Sequence, residues 1–395
     1  MYDFKTVIPR KNTGSSKWIQ MYEWNPNVDE DVVPLSVADM ELKNPPEVIE
    51  GLKKYLDNSV LGYTQSYDAY FESVKKWMKE KHNYDVKREW MINTPGVVNA
   101  FFGAVNAFTN PGDGVIIMRP VYYPFSMAID MNERDLVNCP LLKDENGKYT
   151  IDFDKFEELC KVPENKLLIF CSPHNPVGRV WTKEELKRVG EIATRNNVLI
   201  VCDEIWNDII MPGYEHTVMA TISEEIANNT IICTSVSKTF NLAGLAVSNI
   251  FIQNEEIREK YIDAMLKMRS LNVNILGYKA CEIAYNESEN WLKELLELLD
   301  KNQRLVKDYF DEHHPKLTSN YIEGTYLQWI DFNALGMTNE ELEEFMHKKA
   351  QFFTDEGYIF GSEGDGFERI NVACPTDVLL RQLEKLSKAL KAIGF

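Results

Sequence analysis

Two hydrophobic patterns alternate in the middle of the chain. Between residue 91 and about residue 234, short runs of consecutive apolar residues are separated by stretches of helical periodicity, and the clearest runs are residues 115–118, 167–171, 198–202 and 230–233. Strands without polar alternation, separated by helices, are typical of a mainly parallel sheet that is covered on both faces. A capping box from Thr182 to Glu185 predicts where one crossover helix begins. The pattern therefore predicts an α/β fold.

The flanking segments differ from this centre. Residues 1–45 read as an irregular arm laid over another part of the molecule, and the following stretch has helical spacing. After residue 254 the chain is helical for about sixty residues, and a smaller α+β portion follows with strands at 326–332 and 369–373 and helices at 339–350 and 376–392. We predict three parts: an arm over 1–45 that joins the small domain, a large domain over 46–290, and a small domain over 291–395.

Composition and charge narrow the class of protein. The chain has 395 residues, 44% hydrophobic content and a net charge of −18, so it can bury a large core and has no basic excess for nucleic acid or anionic lipid. The seven cysteines are scattered without metal-ligand spacing, which indicates buried thiols in a reducing compartment and no metal site. No signal segment or membrane-length apolar run is present. We expect a cytoplasmic protein that binds neither nucleic acid nor membrane.

One lysine stands out at a predicted strand end. Lys238 follows the apolar run 231–233 and is surrounded by hydroxyl and small side chains. A pocket of low polarity lowers the pKa of an ammonium group and frees the amine to attack a carbonyl carbon. Lys238 is therefore a candidate Schiff-base lysine. The alternative is an ordinary lysine at a strand end.

Further candidates fall just past other strands. Asp203 ends a buried strand, where a carboxylate needs a cationic partner such as a protonated pyridine nitrogen; the alternative is a helix N-cap. Asn175 lies in a loop between two prolines and can donate its amide to a phenolic oxygen, or it is a simple turn residue. Tyr122 can stack on a planar ring and Tyr123 can transfer a proton, although adjacent tyrosines are as often simple packing.

Two candidates would bind anions. Gly96, Val97 and Val98 open a predicted helix, where free N–H groups and a glycine permit close approach of an anion; a plain helix start is the alternative. Arg369 lies between a glycine-rich loop and an apolar strand and can pair with a carboxylate, or it is a surface charge. Together, these residue types are what pyridoxal 5′-phosphate chemistry on an amino acid requires.

The sequence resembles a known family over nearly its whole length. It is similar to fold-type I pyridoxal-phosphate enzymes of the aspartate aminotransferase superfamily, and within it to the MalY/PatB group of cystathionine β-lyases. The matching motifs are residues 36–40, 62–63, 96–98, 120–125, 174–178, 203–206, 235–241, 324–329 and 369–373. The resemblance implies a mainly parallel sheet of the seven-stranded type flanked by helices, with a smaller α+β domain formed from both chain ends.

The resemblance also implies a role for each candidate. Lys238 would form the Schiff base with the cofactor, while Asp203 would pair with the ring nitrogen. Substrate would contact Arg369 and Ala38. The remaining cofactor contacts implied by the resemblance are Asn175 at the phenolic oxygen, Tyr122 on the ring, and Gly96, Val97, Val98, Ser235 and, across a homodimer interface, Tyr63 at the phosphate.

Two departures from the aminotransferase pattern favour the lyase group. Trp206 stands where aminotransferases commonly carry a tyrosine, and Ala246 stands where they carry a phosphate-binding arginine. We therefore expect β-elimination from a cysteine S-conjugate such as cystathionine, giving thiol, pyruvate and ammonia, with Tyr123 as a proton donor to sulfur. An aminotransferase using the same site is the first alternative. An enzyme that doubles as a regulatory binding protein in amino-acid metabolism is the second.

Overall fold

The computed structural model describes residues 1–395 and contains a central sheet of seven strands. They are β1 Met91–Thr94, β2 Gly114–Ile117, β3 Asp135–Asn138, β6 Asn165–Cys171, β7 Leu199–Asp203, β8 Thr230–Thr234 and β9 Ser248–Ile252. Their order across the sheet is β1, β9, β8, β7, β6, β2, β3. Neighbours are parallel except at β9, which is antiparallel to both β1 and β8. The mainly parallel sheet is confirmed, with its predicted strands shifted by at most two residues.

Strand β9 was not predicted, because two polar residues open it. Ser248 and Asn249 interrupt the apolar pattern, yet both are buried. Asn249 Oδ1 accepts hydrogen bonds from the Tyr70 hydroxyl at 2.5 Å and from Asn93 Nδ2 at 3.0 Å. These bonds satisfy the buried Asn249 oxygen, whereas Asn249 Nδ2 and Ser248 Oγ have no partner. The sequence alone does not show these partners, since they come from distant segments.

Helices cover both faces of this sheet and join its strands. Those before β6 are α1 Ser16–Trp24, α2 Pro46–Asn58, α3 Asp68–His82, α4 Val97–Phe108, α5 Pro124–Asp130 and α6 Phe153–Cys160. Those after it are α7 Lys183–Arg195, α8 Glu224–Ala227, α9 Val236–Thr239, α10 Glu255–Lys267, α11 Ile275–Glu287 and α12 Glu289–His313. Helix α7 begins at the predicted capping box, where the Thr182 hydroxyl accepts from the Glu185 N–H at 3.2 Å and the Glu185 carboxylate accepts from the Thr182 N–H at 2.8 Å.

A second, antiparallel sheet lies near the end of the chain. Its strands are β10 Thr318–Ser319, β11 Leu327–Asp331, β12 Asp355–Glu356 and β13 Phe367–Asn371, in the order β10, β11, β13, β12. A short hairpin of β4 Leu142–Lys143 and β5 Tyr149–Thr150 is separate from both sheets. The helix predicted over 339–350 is two elements, α13 Asn339–Glu344 and a π-helix Phe345–Ala350, and α14 Thr376–Ala392 closes the chain. The predicted domain boundaries at residues 45 and 290 stay predictions.

The N-terminal arm joins the second sheet through backbone hydrogen bonds. Leu35 N–H donates to the Phe353 carbonyl at 2.8 Å, and Asn371 N–H donates to the Leu35 carbonyl at 2.8 Å. The prediction that the whole arm is irregular was wrong, because helix α1 forms within it. Trp18 and Met21 are buried one helical turn apart, so packing against the core stabilises this short helix.

Burial elsewhere follows the expected pattern. All seven cysteines are buried free thiols, as their apolar surroundings predicted. None of the helices combines the length and the apolar content that crossing a lipid bilayer requires.

Candidate active site

A cavity of about 220 Å³ opens at the carboxyl ends of the parallel strands. This is the edge of an open α/β sheet at which ligands commonly bind. The predicted site residues that line it are Ala38, Gly96, Val97, Val98, Tyr122, Asn175, Asp203 and Lys238. They come from the arm, from the end of β7, and from the loops and helix starts that follow β1, β2, β6 and β8. The fold thus brings most of the predicted residues into one cavity.

Lys238 lies on the short helix α9, directly after β8. Its Nζ donates to the Ala38 carbonyl at 2.9 Å and lies 5.6 Å from the ring centroid of Trp206. Burial, and after it the positive charge of Arg369, lower the pKa of this ammonium group to about 8, although the charges of Asp39 and Asp203 partly oppose the shift. A neutral carbonyl and an indole face are its close partners, so the amine can lose its proton near neutral pH.

Asp203 is the last residue of β7 and is only 2% exposed. Its Oδ1 accepts the Ile205 N–H at 3.2 Å, and it takes part in no ion pair. Burial raises the pKa of this carboxyl to about 7, which the Ile205 hydrogen bond and the attraction of Lys238 offset only in part. A cationic ligand atom in the cavity would supply the missing partner. The N-cap alternative agrees less well, since no helix begins here.

The opposite end of the cavity is formed by the start of α4. Gly96 precedes this helix with φ of 98°, a backbone conformation that favours glycine. The first N–H groups of the helix, at Val97 and Val98, have no partners within the helix, and both residues line the cavity. An anion placed there would gain both hydrogen bonds and the favourable helix dipole.

The two serines before Lys238 have different positions. Ser235 is buried and caps α9: its hydroxyl accepts the Ser237 N–H at 3.1 Å and donates to the Val247 carbonyl at 2.7 Å. Ser237, not Ser235, lines the cavity. The phosphate contact implied for Ser235 stays a prediction, and Ser237 is a candidate that the sequence interpretation missed, although it lies in the same motif.

Arg369 lies on β13 at one side of the cavity and is buried. Its Nη1 donates to Asn175 Oδ1 at 2.8 Å, and its Nη2 donates to Asp355 Oδ2 at 2.6 Å. Because Asn175 accepts through its oxygen, the amide nitrogen of Asn175 stays available as a donor. Tyr122 N–H donates to the Asn175 carbonyl at 3.1 Å, so this hydrogen bond joins the loop of Asn175 to Tyr122. The surface-charge alternative for Arg369 is thereby wrong.

Like Ser235 and Arg369, two further predicted residues do not line the cavity. Tyr123 is 41% exposed, with its ring centroid 5.5 Å from that of Tyr122. Tyr63 is fully exposed in the segment between α2 and α3 and contacts no site residue of its own chain. The proton-donor role of Tyr123 and the phosphate role of Tyr63 from a second subunit stay predictions.

The cavity fits pyridoxal 5′-phosphate by its own chemistry. Asp203 is a buried carboxylate without a cation, the start of α4 presents free N–H groups to an anion, and the Lys238 amine has a lowered pKa between them. The ring nitrogen, phosphate and aldehyde of the cofactor would meet these three features. Tyr122 supplies an aromatic face in the same cavity.

Comparison with known proteins agrees with this geometry. The family model for aminotransferase class I and II matches residues 30–386. Cystathionine β-lyase PatB from Bacillus subtilis is 36% identical over 360 residues, covering 91% of this chain and 93% of that protein. The crystal structure of cystalysin from Treponema denticola, which contains pyridoxal 5′-phosphate, is 56% identical over the whole of both chains, with a TM-score of 0.98. The pyridoxal-phosphate-bound C-S lyase from Staphylococcus hominis is 30% identical, covering 99% of this chain and 98% of that one, with a TM-score of 0.91.

The chain therefore belongs to the aminotransferase class I and II family, whose members of this fold type use pyridoxal phosphate. Within that family it is of the MalY/PatB type, as the sequence motifs indicated. The predicted cofactor and fold class are confirmed.

Proposed function

We propose that this protein is a pyridoxal-phosphate-dependent carbon–sulfur lyase that acts on cysteine S-conjugates such as cystathionine. The observation that carries the proposal is the buried Lys238 amine, with a pKa of about 8, between a carboxylate without a cation at Asp203 and a carboxylate-binding group at Arg369. The relatives named cystathionine β-lyase and C-S lyase support the same reaction. The products would be a thiol, pyruvate and ammonia.

The cofactor, when bound, joins the substrate amine and withdraws the electron pair that remains at Cα after the proton leaves. The Asp203 carboxylate would hold the ring nitrogen, and Asn175 Nδ2 would donate to the phenolic oxygen. Tyr122 would cover one face of the ring. The phosphate would lie at the N–H groups of Val97 and Val98, with Ser237 beside them.

The protein's own groups would orient the substrate and move its protons. The remaining N–H groups of Arg369 would bind the substrate carboxylate. Lys238, freed as a neutral amine, would take the Cα proton, which its lowered pKa allows near neutral pH. Tyr123, at the partly exposed edge of the site, would donate a proton to the leaving sulfur. No water-activating metal is needed for these steps.

Two cavity residues favour elimination over amino-group transfer. Trp206 is buried, lines the cavity and packs edge-on against Tyr326 at 4.7 Å between ring centroids. It offers no hydroxyl to the phenolic oxygen, where aminotransferases commonly have one. Ala246 also lines the cavity and offers no charge to the phosphate. The site thus departs from the aminotransferase pattern at two contacts with the cofactor.

The direct test is to incubate the purified, cofactor-loaded protein with cystathionine and other cysteine conjugates without any keto acid. We expect thiol and pyruvate in equal amounts. An aminotransferase would release neither thiol nor pyruvate without an acceptor and would convert its cofactor to the amine form. Absence of thiol from every conjugate tested would refute the lyase assignment.

We also propose that two copies form a homodimer with shared active sites, in the cytoplasm. The fully exposed ring of Tyr63 and the exposed side chains of Val60 and Leu61 beside it support this assembly, because a monomer gains nothing from an exposed apolar segment. Mixing inactive Y63A and K238A chains would create hybrid dimers in which one site has both residues. Recovery of up to about a quarter of wild-type activity is expected, and no recovery despite dimers would argue against sharing.

A further inference from the structure

Asp355 lies directly opposite Arg369 in the second sheet, where β12 pairs with β13. One oxygen of its carboxylate, Oδ2, accepts three hydrogen bonds. Two come from Arg369, from Nη2 at 2.6 Å and from Nε at 3.2 Å. The third comes from the backbone N–H of Val37 in the N-terminal arm, at 2.9 Å. A single carboxylate therefore joins the substrate-facing arginine to the arm.

The hydrogen bonds of Arg369 to other residues determine which of its guanidinium N–H groups remain free to bind a ligand. A guanidinium group has five N–H donors in one plane. Asp355 takes one at Nε and one at Nη2, while Asn175 Oδ1 takes one at Nη1. One N–H remains on each terminal nitrogen, which is the number that a bidentate carboxylate uses. Bonds at all three nitrogens also fix the plane of the guanidinium.

The contact with Val37 acts on the backbone beside Lys238. Val37 has φ of 54°, a conformation that is unfavourable for a β-branched residue. Its N–H is held by Asp355 and its carbonyl by Asn371 Nδ2 at 2.8 Å. The next residue, Ala38, thereby presents its carbonyl to Lys238 Nζ at 2.9 Å. The backbone that receives the reactive amine is held one residue away by the same carboxylate.

We propose that Asp355 is a positioning residue: it orients Arg369 for the substrate carboxylate and holds the Val37–Ala38 backbone against which Lys238 rests. The inference deepens the proposed function, since the substrate must carry a carboxylate at one end and a Cα proton within reach of Lys238. A counter-ion that served only to neutralise Arg369 would need no contact with the arm.

Two variants separate the parts of this role. Asp355→Asn keeps an oxygen for the three donors and removes the charge, whereas Asp355→Ala removes both. Glu356→Gln is the matched control, because Glu356 is the next residue of the strand and contacts His347 Nε2 at 3.2 Å rather than Arg369. Unfolding temperatures of all three variants show whether they fold.

The measurement compares two ligands on the cofactor-loaded protein by absorbance titration: L-alanine, which has a carboxylate and no leaving group, and ethylamine, which lacks the carboxylate. We expect D355A to weaken the affinity for alanine about 30-fold and that for ethylamine less than about twofold. D355N should weaken only the alanine affinity, by about threefold to tenfold. With a cleavable conjugate, KM should rise more than kcat falls.

Equal losses for alanine and ethylamine would overturn the proposal, because a general structural defect affects both ligands. Unchanged alanine affinity, or the same selective loss in E356Q, would overturn it as well. If D355A does not fold, the comparison of alanine and ethylamine affinities in D355N tests the proposal by the same criteria. The lyase assignment fails separately, when the wild-type protein releases no thiol, and the alanine and ethylamine comparison still tests Asp355 in that case.

Discussion

Two lysines donate to neighbouring carbonyls of the same arm, but their counter-ions differ. Lys17 Nζ donates to the Asp39 carbonyl at 2.6 Å, and Lys238 Nζ donates to the Ala38 carbonyl at 2.9 Å. Lys17 also lies 3.2 Å from Asp39 Oδ1 and 3.5 Å from Glu41 Oε1. No carboxylate forms an ion pair with Lys238. Lys17 is buried among its counter-ions, whereas Lys238 is half-buried and has no ion pair.

This difference separates a structural lysine from a reactive one. In the first site, burial alone would raise the pKa of Asp39, but the attraction of Lys17 and Arg10 outweighs burial and lowers it. Each charge there stabilises the others. In the second site, burial lowers the pKa of Lys238 to about 8, and the charges of Asp39 and Asp203, which form no ion pair with it, oppose this shift only in part. A protein obtains a neutral amine near neutral pH by burying a lysine beside a dipole rather than beside a charge.

Removing the amine of Lys238 should have the largest effect. Lys238→Ala deletes the proposed proton acceptor, so thiol and pyruvate release should fall by at least about 10³-fold. Circular dichroism and unfolding should show a folded chain. Substantial residual turnover would contradict the assigned role of Lys238.

Asp203 is the counterpart of Lys238 in this comparison, since it is a buried anion without a cation. Asp203→Asn keeps the shape and removes the charge, so kcat should fall by about 10²- to 10³-fold through loss of stabilisation at the ring nitrogen. Steady-state kinetics with saturating cofactor check this result. Asn175→Asp alters a different cofactor contact and adds a negative charge beside Arg369, so its steady-state parameters should differ from those of D203N. A kcat within threefold of wild type in D203N would contradict the role.

Replacing Lys17 should mainly affect stability, whereas replacing Lys238 should mainly affect turnover. Lys17→Met leaves Asp39 and Glu41 with less compensation, so the free energy of unfolding should fall by about 3 kcal/mol. Turnover measured well below the unfolding temperature should fall far less than in K238A. Chemical denaturation and the thiol assay test the two parts. An unchanged stability would show that Arg10 alone holds the carboxylates.

The smallest expected effect is a pH dependence of stability in the cofactor-free chain. The pKa of Lys238 is about 8 when folded, against an ordinary value of 10.5, so the unfolded chain binds more protons between these values. Lys238→Met should therefore stabilise the chain by at most about 3 kcal/mol at pH 7, since each pKa unit corresponds to about 1.4 kcal/mol. This advantage should be constant below pH 8 and should shrink as pH rises towards 10.5.

Urea denaturation of both chains at pH 7, 8, 9 and 10 measures that advantage. The other titratable groups contribute equally to the pH dependence of both chains, so their contributions cancel when the two unfolding free energies are subtracted. A difference that does not change with pH would show that the folded Lys238 keeps its proton as firmly as an exposed lysine.

The cofactor end of the site was predictable because its signals are local. Asp203, Asn175 and Lys238 each follow a strand that the apolar pattern identifies, and parallel strands bring their carboxyl ends together. The substrate end depends on pairing between distant segments. Asp355 matters because it lies opposite Arg369 and receives the Val37 N–H, and neither relation leaves a periodic signal.

Two other features could not be predicted from the sequence for the same reason. The choice between Ser235 and Ser237 depends on which hydroxyl the cap of α9 uses, which sequence spacing does not decide. Strand β9 was not predicted because the partners of the Asn249 Oδ1 atom lie far away in the chain.

The join between the arm and the second sheet bears on the order in which the site forms during synthesis. A nascent chain that has emerged as far as residue 300 already contains Lys238 and Asp203. It lacks Arg369 and also Phe353, whose carbonyl anchors the arm at Leu35. The cofactor-binding strands can therefore fold while the first residues of the chain are still without their partners. The N-terminal arm is anchored, and Arg369 becomes available to bind a substrate carboxylate, only after the C-terminal part of the chain has been synthesised.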